Sequence, residues 1–448
     1  MEQDLTAGSV PAQLIRFSLP LLAANLLQSF YNLVDMAVVG RFVGKDGLAA
    51  VSSAVLLCYI ISALCSGVTM GGGVLCAQYT GAGDRAALRE TVGTLFTVSS
   101  LCSLGVTLLG LLVYRPVFIL MNVPPEALPH ALAYMPVICW GTVFVFGYNA
   151  VCAVLRGLGD SKSPLLFVGT ASLVNIGLDF LLVGGLGMGA AGAAWATVAS
   201  QAVSFLLSLI FLRRRGFFTG FTPASFRVGR DKAALILRIG LPSAIQMGVL
   251  NLSYLLVTGM LNSYGVVVAA AAGVGLKVNT FAAMPCWAVG AGVTTMAGQC
   301  VGAGDAERAV KTAKTGVALA VGVSAVMVAL VFLFAGSIVS LFDGDSAVVA
   351  EGARYLRICC CLNCLVYAAM YIYDSFATGV GAAWLAMANS LLQSLVFRLL
   401  FSLLLERGLS LGRLGLYWAE CLSPIVPAVI GGVFFYSGYW RRHRLLPR

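Results

Sequence analysis

Twelve predominantly apolar stretches run along the chain, centred near positions 27, 65, 100, 142, 174, 201, 248, 284, 323, 364, 393 and 427. Clusters of glycine, proline and charge separate them, as at 81–89, 156–164, 213–232 and 302–314. Each stretch is long enough to cross a hydrocarbon core of about 30 Å as a helix. Several run well past about twenty residues, a length taken up by tilt or by extension beyond the bilayer. The pattern predicts an all-α integral membrane protein of twelve transmembrane helices.

The first stretch, residues 14–39, is not uniformly apolar. Asn25, Gln28, Asn32 and Asp35 recur at spacings of three, four and three, so they form one polar stripe on one helical face. A single amide in a membrane helix usually serves interhelical packing. A carboxylate and three amides in register are costly in hydrocarbon and belong against protein or a water-filled cavity. The stripe reads as the edge of a transport cavity.

Composition rules out the soluble classes. Hydrophobic residues make up 60% of the chain and charged residues 10%, against about 25% charged in a soluble domain. Residues 1–11 carry Glu2 and Asp4 and no basic residue, so the first helix is expected to be its own insertion signal. The 13 cysteines sit mostly inside apolar stretches, where Cys behaves as a small hydrophobe. The Cys-x-x-Cys formed by Cys361 and Cys364 has no second pair or neighbouring histidine, the histidines being His130 and His443. No structural metal and no cofactor are expected.

The net charge of +10 does not indicate nucleic acid, because the basic residues sit at helix ends rather than in a continuous patch. Most of the 28 Lys and Arg fall on the N-terminal end, the even-numbered connections and the C-terminal tail. The positive-inside rule then places both termini in the cytoplasm. The longest connection region carries Arg213, Arg214, Arg215, Arg227, Arg230, Lys232 and Arg238, and reads as an anchor at the anionic leaflet. The expected setting is the cell's inner membrane, with the protein a multi-pass monomer in contact with the lipid bilayer.

The chain also repeats itself. Gln78-x-x-Gly81-Ala82-Gly83-Asp84 returns as Gln299-x-x-Gly302-Ala303-Gly304-Asp305, an offset of 221. At 222, Leu19-Pro20 matches Leu241-Pro242, and Gly157-x-Gly159 matches Gly379-x-Gly381. At 223, Gly192, Trp195, Ala196 and Ser200 match Gly415, Trp418, Ala419 and Ser423. The expected organisation is a six-helix bundle over 1–215, a cytoplasmic linker over 216–232 and a second six-helix bundle over 233–448. An even helix number per half gives both halves one orientation, hence a pseudo-twofold axis along the membrane normal. Repeats of this kind commonly move about a shared cavity.

The two halves differ in chemistry. In the fifth stretch Asn175 and Asp179 are four apart and share a face, and Thr197 lies just past the glycine-rich turn that follows. Two intramembrane carboxylates that approach each other cannot both stay ionised, so Asp35 and Asp179 could hold a proton. An oxygen cage of the same residues would equally suit Na+. The alternative is that each acid pairs privately with a polar neighbour. The second half opens with Gln246, Asn251, Tyr254, Thr258 and Asn262, and Val257 stands where the first half has Asp35. That face is polar and uncharged, suited to touching substrate. Lys277, Asp374 and Glu420 are secondary candidates, and together with Arg398 they leave their roles open.

The Pro-containing first helix ending in Val34-Asp35-Met36 and Val39-Gly40 resembles the multidrug and toxic compound extrusion (MATE) transporters of bacteria. So do the doubled Gln-x-x-Gly-Ala-Gly-Asp and Asn175-Ile-Gly-Leu-Asp179 followed by Gly-Ala-Ala-Trp195-Ala-Thr197. The resemblance covers nearly the whole chain. It implies twelve helices in two bundles, a V-shaped central cavity, and cation-driven antiport of small amphipathic, often cationic, compounds. H+ is the first choice of coupling ion and Na+ the second. It is closest to the branch with an N-terminal-bundle cation site, whose residues fall on Asp35, Asn175, Asp179 and Thr197. Beside this, the polar faces read from spacing, Asn25, Gln28 and Asn32 in the first half and Gln246, Asn251, Tyr254 and Thr258 in the second, are the expected lining of the substrate cavity. The chain departs from the branch with an acid in the seventh helix, having none there.

Other readings fit less well. A lipid-linked oligosaccharide flippase would share the architecture but should hold phosphates through arginines, and Lys277 and Arg398 are the basic residues deep in apolar stretches. An intramembrane aspartyl protease is suggested by Gly157-Leu-Gly-Asp160 and Tyr373-Asp374, but the motifs come in the wrong order and Asp160 lies in a loop. A passive channel suits duplicated halves less well than alternating access does. No enzyme is expected.

Overall fold

The computed structural model describes residues 4–442 and 445, apart from the side chains of Pro223, Ala224 and Asn251. His443 lies outside the described residues. Thirteen helical spans follow in order: α1 (Val10–Phe42), α2 (Lys45–Ala82), α3 (Arg85–Leu120), α4 (Leu128–Gly157), α5 (Lys162–Gly185), α6 (Gly189–Arg214), α7 (Arg230–Asn262), α8 (Val266–Gly302), α9 (Ala306–Ser340), α10 (Ser346–Cys359), α11 (Asn363–Gly379), α12 (Ala383–Gly408) and α13 (Arg413–Tyr436). No strand occurs among the described residues. Eleven of these are long and apolar enough to cross a membrane, and α10 with α11, bent by 46° at their junction, meet the same length and composition as a pair, for twelve if the pair is one span. The expected apolar stretch centred near 364 is this bent pair.

The repeated Gly-Ala-Gly-Asp explains how α2 hands over to α3 and α8 to α9. Gly83 and Gly304 adopt φ of 70° and 78°, a left-handed conformation that favours glycine. Each following aspartate then caps the next helix, Asp84 accepting from the Ala87 amide at 2.9 Å and Asp305 from the Arg308 amide at 2.8 Å.

Packing divides the described residues into two compact units, one built on 19–244, the other on 5–18 and 245–442. These boundaries fall inside α1 and α7, whereas division by sequence half places the cut in the 216–232 connection. The leading turns of each half's first helix therefore belong with the other half's helices. In the first unit, α7 crosses α2 where Gly67 and Gly71 sit directly on the backbone of Gly240 and Ile236. In the second, the start of α1 lies on α8 at Gly292, beside Leu14 and Ser18. Ahead of it, Gln299 accepts from the Leu5 amide at 3.2 Å. Arg308 donates to the carbonyls of Leu5, Gly8 and Ala7 and to Gln13, at 2.8–3.1 Å.

The first unit's core gathers Val38, Val39, Ala54, Phe118, Met135 and Phe146, with Ala193 and Ala194 of α6. The second unit's core gathers Val257, Leu261, Val339, Tyr355, Leu356 and Tyr417. In the connection between α6 and α7, Thr97 of α3 donates to the Phe226 carbonyl at 2.6 Å. The Gly229 amide donates to Thr94 at 3.2 Å, so the linker is seated on α3.

Candidate functional site

Asp179 is the last α-helical residue of α5, and the helix widens to a π turn over Phe180–Gly185 directly after it. Such turns recur at functional sites because they re-aim the flanking side chains. Gly184 lies within 3.1 Å of the Phe42 ring when given a β-carbon, and Phe42 meets Phe180 edge-on with centroids 6.4 Å apart. Phe42 is two helical turns beyond Asp35 on the same face of α1. The contact therefore lays the Asp35 face of α1 against the end of α5.

The two carboxyl groups face each other closely enough to interact. Asp179 is fully buried, Asn175 almost so, and Asp35 is half-buried. Among the described residues no hydrogen-bond partner reaches Oδ1 of Asp35, either oxygen of Asp179, or either polar atom of Asn175. Private pairing of each acid with a polar neighbour is thus not what the structure shows for Asp179. Buried polar atoms are satisfied in the great majority of cases, and leaving one unmet costs about 1–3 kcal/mol. Five such atoms on three neighbouring side chains form an oxygen-rich cluster able to receive a proton or a hard cation.

Thr197 is half-buried on α6, where its carbonyl accepts from Ser200 at 2.8 Å, and its hydroxyl makes no hydrogen bond to Asp179. Of the stripe on α1, Asn25 is half-buried and Gln28 and Asn32 are exposed. Two tyrosines that the sequence reading passed over, Tyr31 and Tyr134, lie in the field of both carboxylates. Tyr31 stands four residues before Asp35, a spacing that signals the shared face, whereas nothing near Tyr134 in the sequence marks it.

In the second unit Gln246 and Thr258 are half-buried, Tyr254 is 39% exposed, and Val257 is buried. The side chain of Asn251 lies outside the described residues. Lys277 is exposed on α8. Asp374 is buried within α11 and accepts from Asn389 of α12 at 2.7 Å, while its second oxygen has no partner among the described residues. Glu420 is buried on α13 and faces Arg398 of α12, with Nη2 and Oε1 3.9 Å apart. Tyr355 donates to the other Glu420 oxygen at 2.7 Å, and Arg398 Nη1 donates to Ser253 at 3.3 Å. The Arg398 guanidinium lies under the Tyr254 ring, 4.9 Å from its centroid. Arg398 and Glu420 are 22 residues apart on separate helices, a pairing that helical spacing cannot reveal.

Comparison with known proteins shows what the chain as a whole is similar to. A profile of the MatE family matches residues 20–181 and 242–404, one match in each half. The chain is 32% identical over 363 residues to the probable multidrug resistance protein YoeA of Bacillus subtilis (strain 168), covering 80% of this chain and 78% of that protein. It is 27% identical over 448 residues to the probable multidrug resistance protein YpnP of the same organism, covering 99% and 98%. Its fold matches an outward-facing multidrug resistance MATE family transporter of the MOP superfamily with a TM-score of 0.92 at 23% identity, over 98% of this chain and 99% of that one.

Proposed function

The chain belongs to the MatE family, and from that premise we propose that it exports small amphipathic, often cationic, compounds by alternating access, in exchange for H+ or, in its place, Na+. The observation that carries this reading is the facing pair Asp35 and Asp179, with the unpartnered Asn175 one turn away. Relatives named as multidrug resistance proteins support the substrate class, and support it over the flippase alternative. The family is one of transporters, so the acids serve binding rather than catalysis. Lys and Arg on alternate connections support a cytoplasmic location for both termini.

In the mechanism, a cation entering from outside neutralises the carboxylates of α1 and α5. Asn175 and Thr197 supply further oxygens that orient it. The neutralised pair draws its helices together and removes the negative charge that favoured a cationic substrate, which leaves. By linkage, substrate binding lowers the affinity for the cation by the same factor. Gln28 and Asn32, exposed on the same face of α1, line the watered side of the path.

The test is transport of a lipophilic cation in vesicles, with a proton or a sodium gradient imposed one at a time. Export driven by one of these gradients and lost in Asp35→Asn is expected. Transport of an anionic lipid-linked sugar with no effect on cationic dyes would establish the flippase instead.

A further inference from the structure

The internal repeat gives several residues in and beside the first-half site a counterpart in the second half. At the offset of 223 that aligns Gly192, Trp195, Ala196 and Ser200 with Gly415, Trp418, Ala419 and Ser423, Thr197 corresponds to Glu420. At the offset of 222 set by the Leu-Pro and Gly-x-Gly matches, Asn32 corresponds to Tyr254 and Asp35 to Val257. The same offset makes Arg398 the counterpart of Ile176, the residue after Asn175. The helices also match in shape, since the π turn at Leu404–Gly408 of α12 answers to Phe180–Gly185 of α5.

The cluster of Arg398, Glu420, Ser253, Tyr254 and Tyr355 therefore holds the counterparts of Thr197, of Asn32 and of the residue beside Asn175, on the second-unit helices that answer to those of the first-half site. Its charges are arranged differently. Among the described residues, the first site has two carboxylates and no positive group recorded against them. The second has one carboxylate and a guanidinium, and these two residues are 2–3% exposed. A guanidinium keeps its charge at any physiological pH. The titratable groups in the field of the pair are Tyr254 on α7, Tyr355 and Cys359 on α10, Cys360 directly after it and Cys364 on α11. All are hydroxyls or thiols, which ordinarily carry no charge at neutral pH.

We propose that this cluster is a cation site filled by the chain itself. The Arg398 guanidinium stands permanently beside Glu420, the counterpart of Thr197, so this half has no place for an exchangeable cation and coupling is confined to the first half. The proposal rests on the reading of Asp35 and Asp179 as the coupling site. It separates this pair from an ordinary structural salt bridge, because removing the tethered charge should turn Glu420 into a site that takes its cation from solution.

The experiment uses the full chain in lipid nanodiscs, with proton uptake followed by an indicator dye as pH falls from about 8 to about 5. The background carries Asp35→Asn and Asp179→Asn, so the first-half pair is silent. Adding Arg398→Met should produce uptake of about one extra proton per molecule. Adding Glu420→Gln to that variant should abolish the gain. Absence of any Glu420-dependent uptake overturns the proposal. Arg398→Met leaves a buried carboxylate unpaired and can fail to survive extraction. In that case the Arg398→Met, Glu420→Gln variant must survive extraction, because it no longer buries an unpaired carboxylate. Its loss as well would overturn the proposal. If instead the wild-type chain showed no uptake dependent on Asp35 and Asp179, the coupling reading would fall, while the Glu420 comparison, made without those acids, would still be read independently.

Discussion

Asp35, Asp179 and Asn175 owe their proposed role to unmet polar atoms as well as to charge. Replacing either acid by asparagine keeps the size and the neutral form of the side chain, so Asp35→Asn and Asp179→Asn are expected to stay folded. Each should lose gradient-driven export by about tenfold or more, the scale of a typical coupling energy. Asp374→Asn should be milder, because an asparagine carbonyl can still accept from Asn389 and the change is worth about 1 kcal/mol. Export at a fixed imposed gradient and equal membrane expression, with thermal unfolding in detergent alongside, makes the comparison. Normal export by both first-unit variants with a dead Asp374→Asn would put the coupling in the other unit. At this scale the sequence was informative where spacing carried the signal. Asp35 and Asp179 stood out as acids in apolar helices, and the i, i+4 pair of Asn175 and Asp179 shared a face. The Arg398–Glu420 pair and Tyr134 did not stand out, since contacts between distant helices leave no local pattern.

Helix contacts are governed by glycines whose neighbours cannot yield. A β-carbon at Gly71 runs into the carbonyl of Ile236, a backbone atom fixed in α7, whereas one at Gly105 on α3 meets nothing within 4 Å. Gly71→Val is expected to cost about 1–3 kcal/mol or more from overpacking. Gly105→Ala should gain about 0.5–1 kcal/mol from helix propensity. Thermal unfolding of the two purified variants tests this, and equal midpoints would refute the close crossing of α2 and α7. The apolar stretches gave the helices reliably because crossing a bilayer demands a length that composition records. The bend between α10 and α11 was not legible, nor were the π turns after Asp179 and within α12. Each changes backbone hydrogen bonding without changing residue type.

The two halves repeat across the whole molecule, down to the glycine turns and aspartate caps at Gly83-Asp84 and Gly304-Asp305. With six spans per half, cysteines introduced at Gly83 and Gly304 should be labelled by an impermeant reagent from the same side of the membrane. Labelling from opposite sides would overturn the parallel repeat. The repeat was visible in the sequence because its motifs do local work in turns and caps. The exchange of leading segments was invisible, because residues 5–18 and 230–244 read simply as the starts of their own helices. That exchange has a consequence for the protein's ancestry and handling. A duplicated gene whose products traded their first turns would have been a swapped dimer before fusion, with neither copy able to complete its fold alone. A chain severed at Gly220 should retain that dependence. Each fragment made by itself should be degraded, the two made together should accumulate, and a first fragment lacking residues 5–18 should fail to rescue the second.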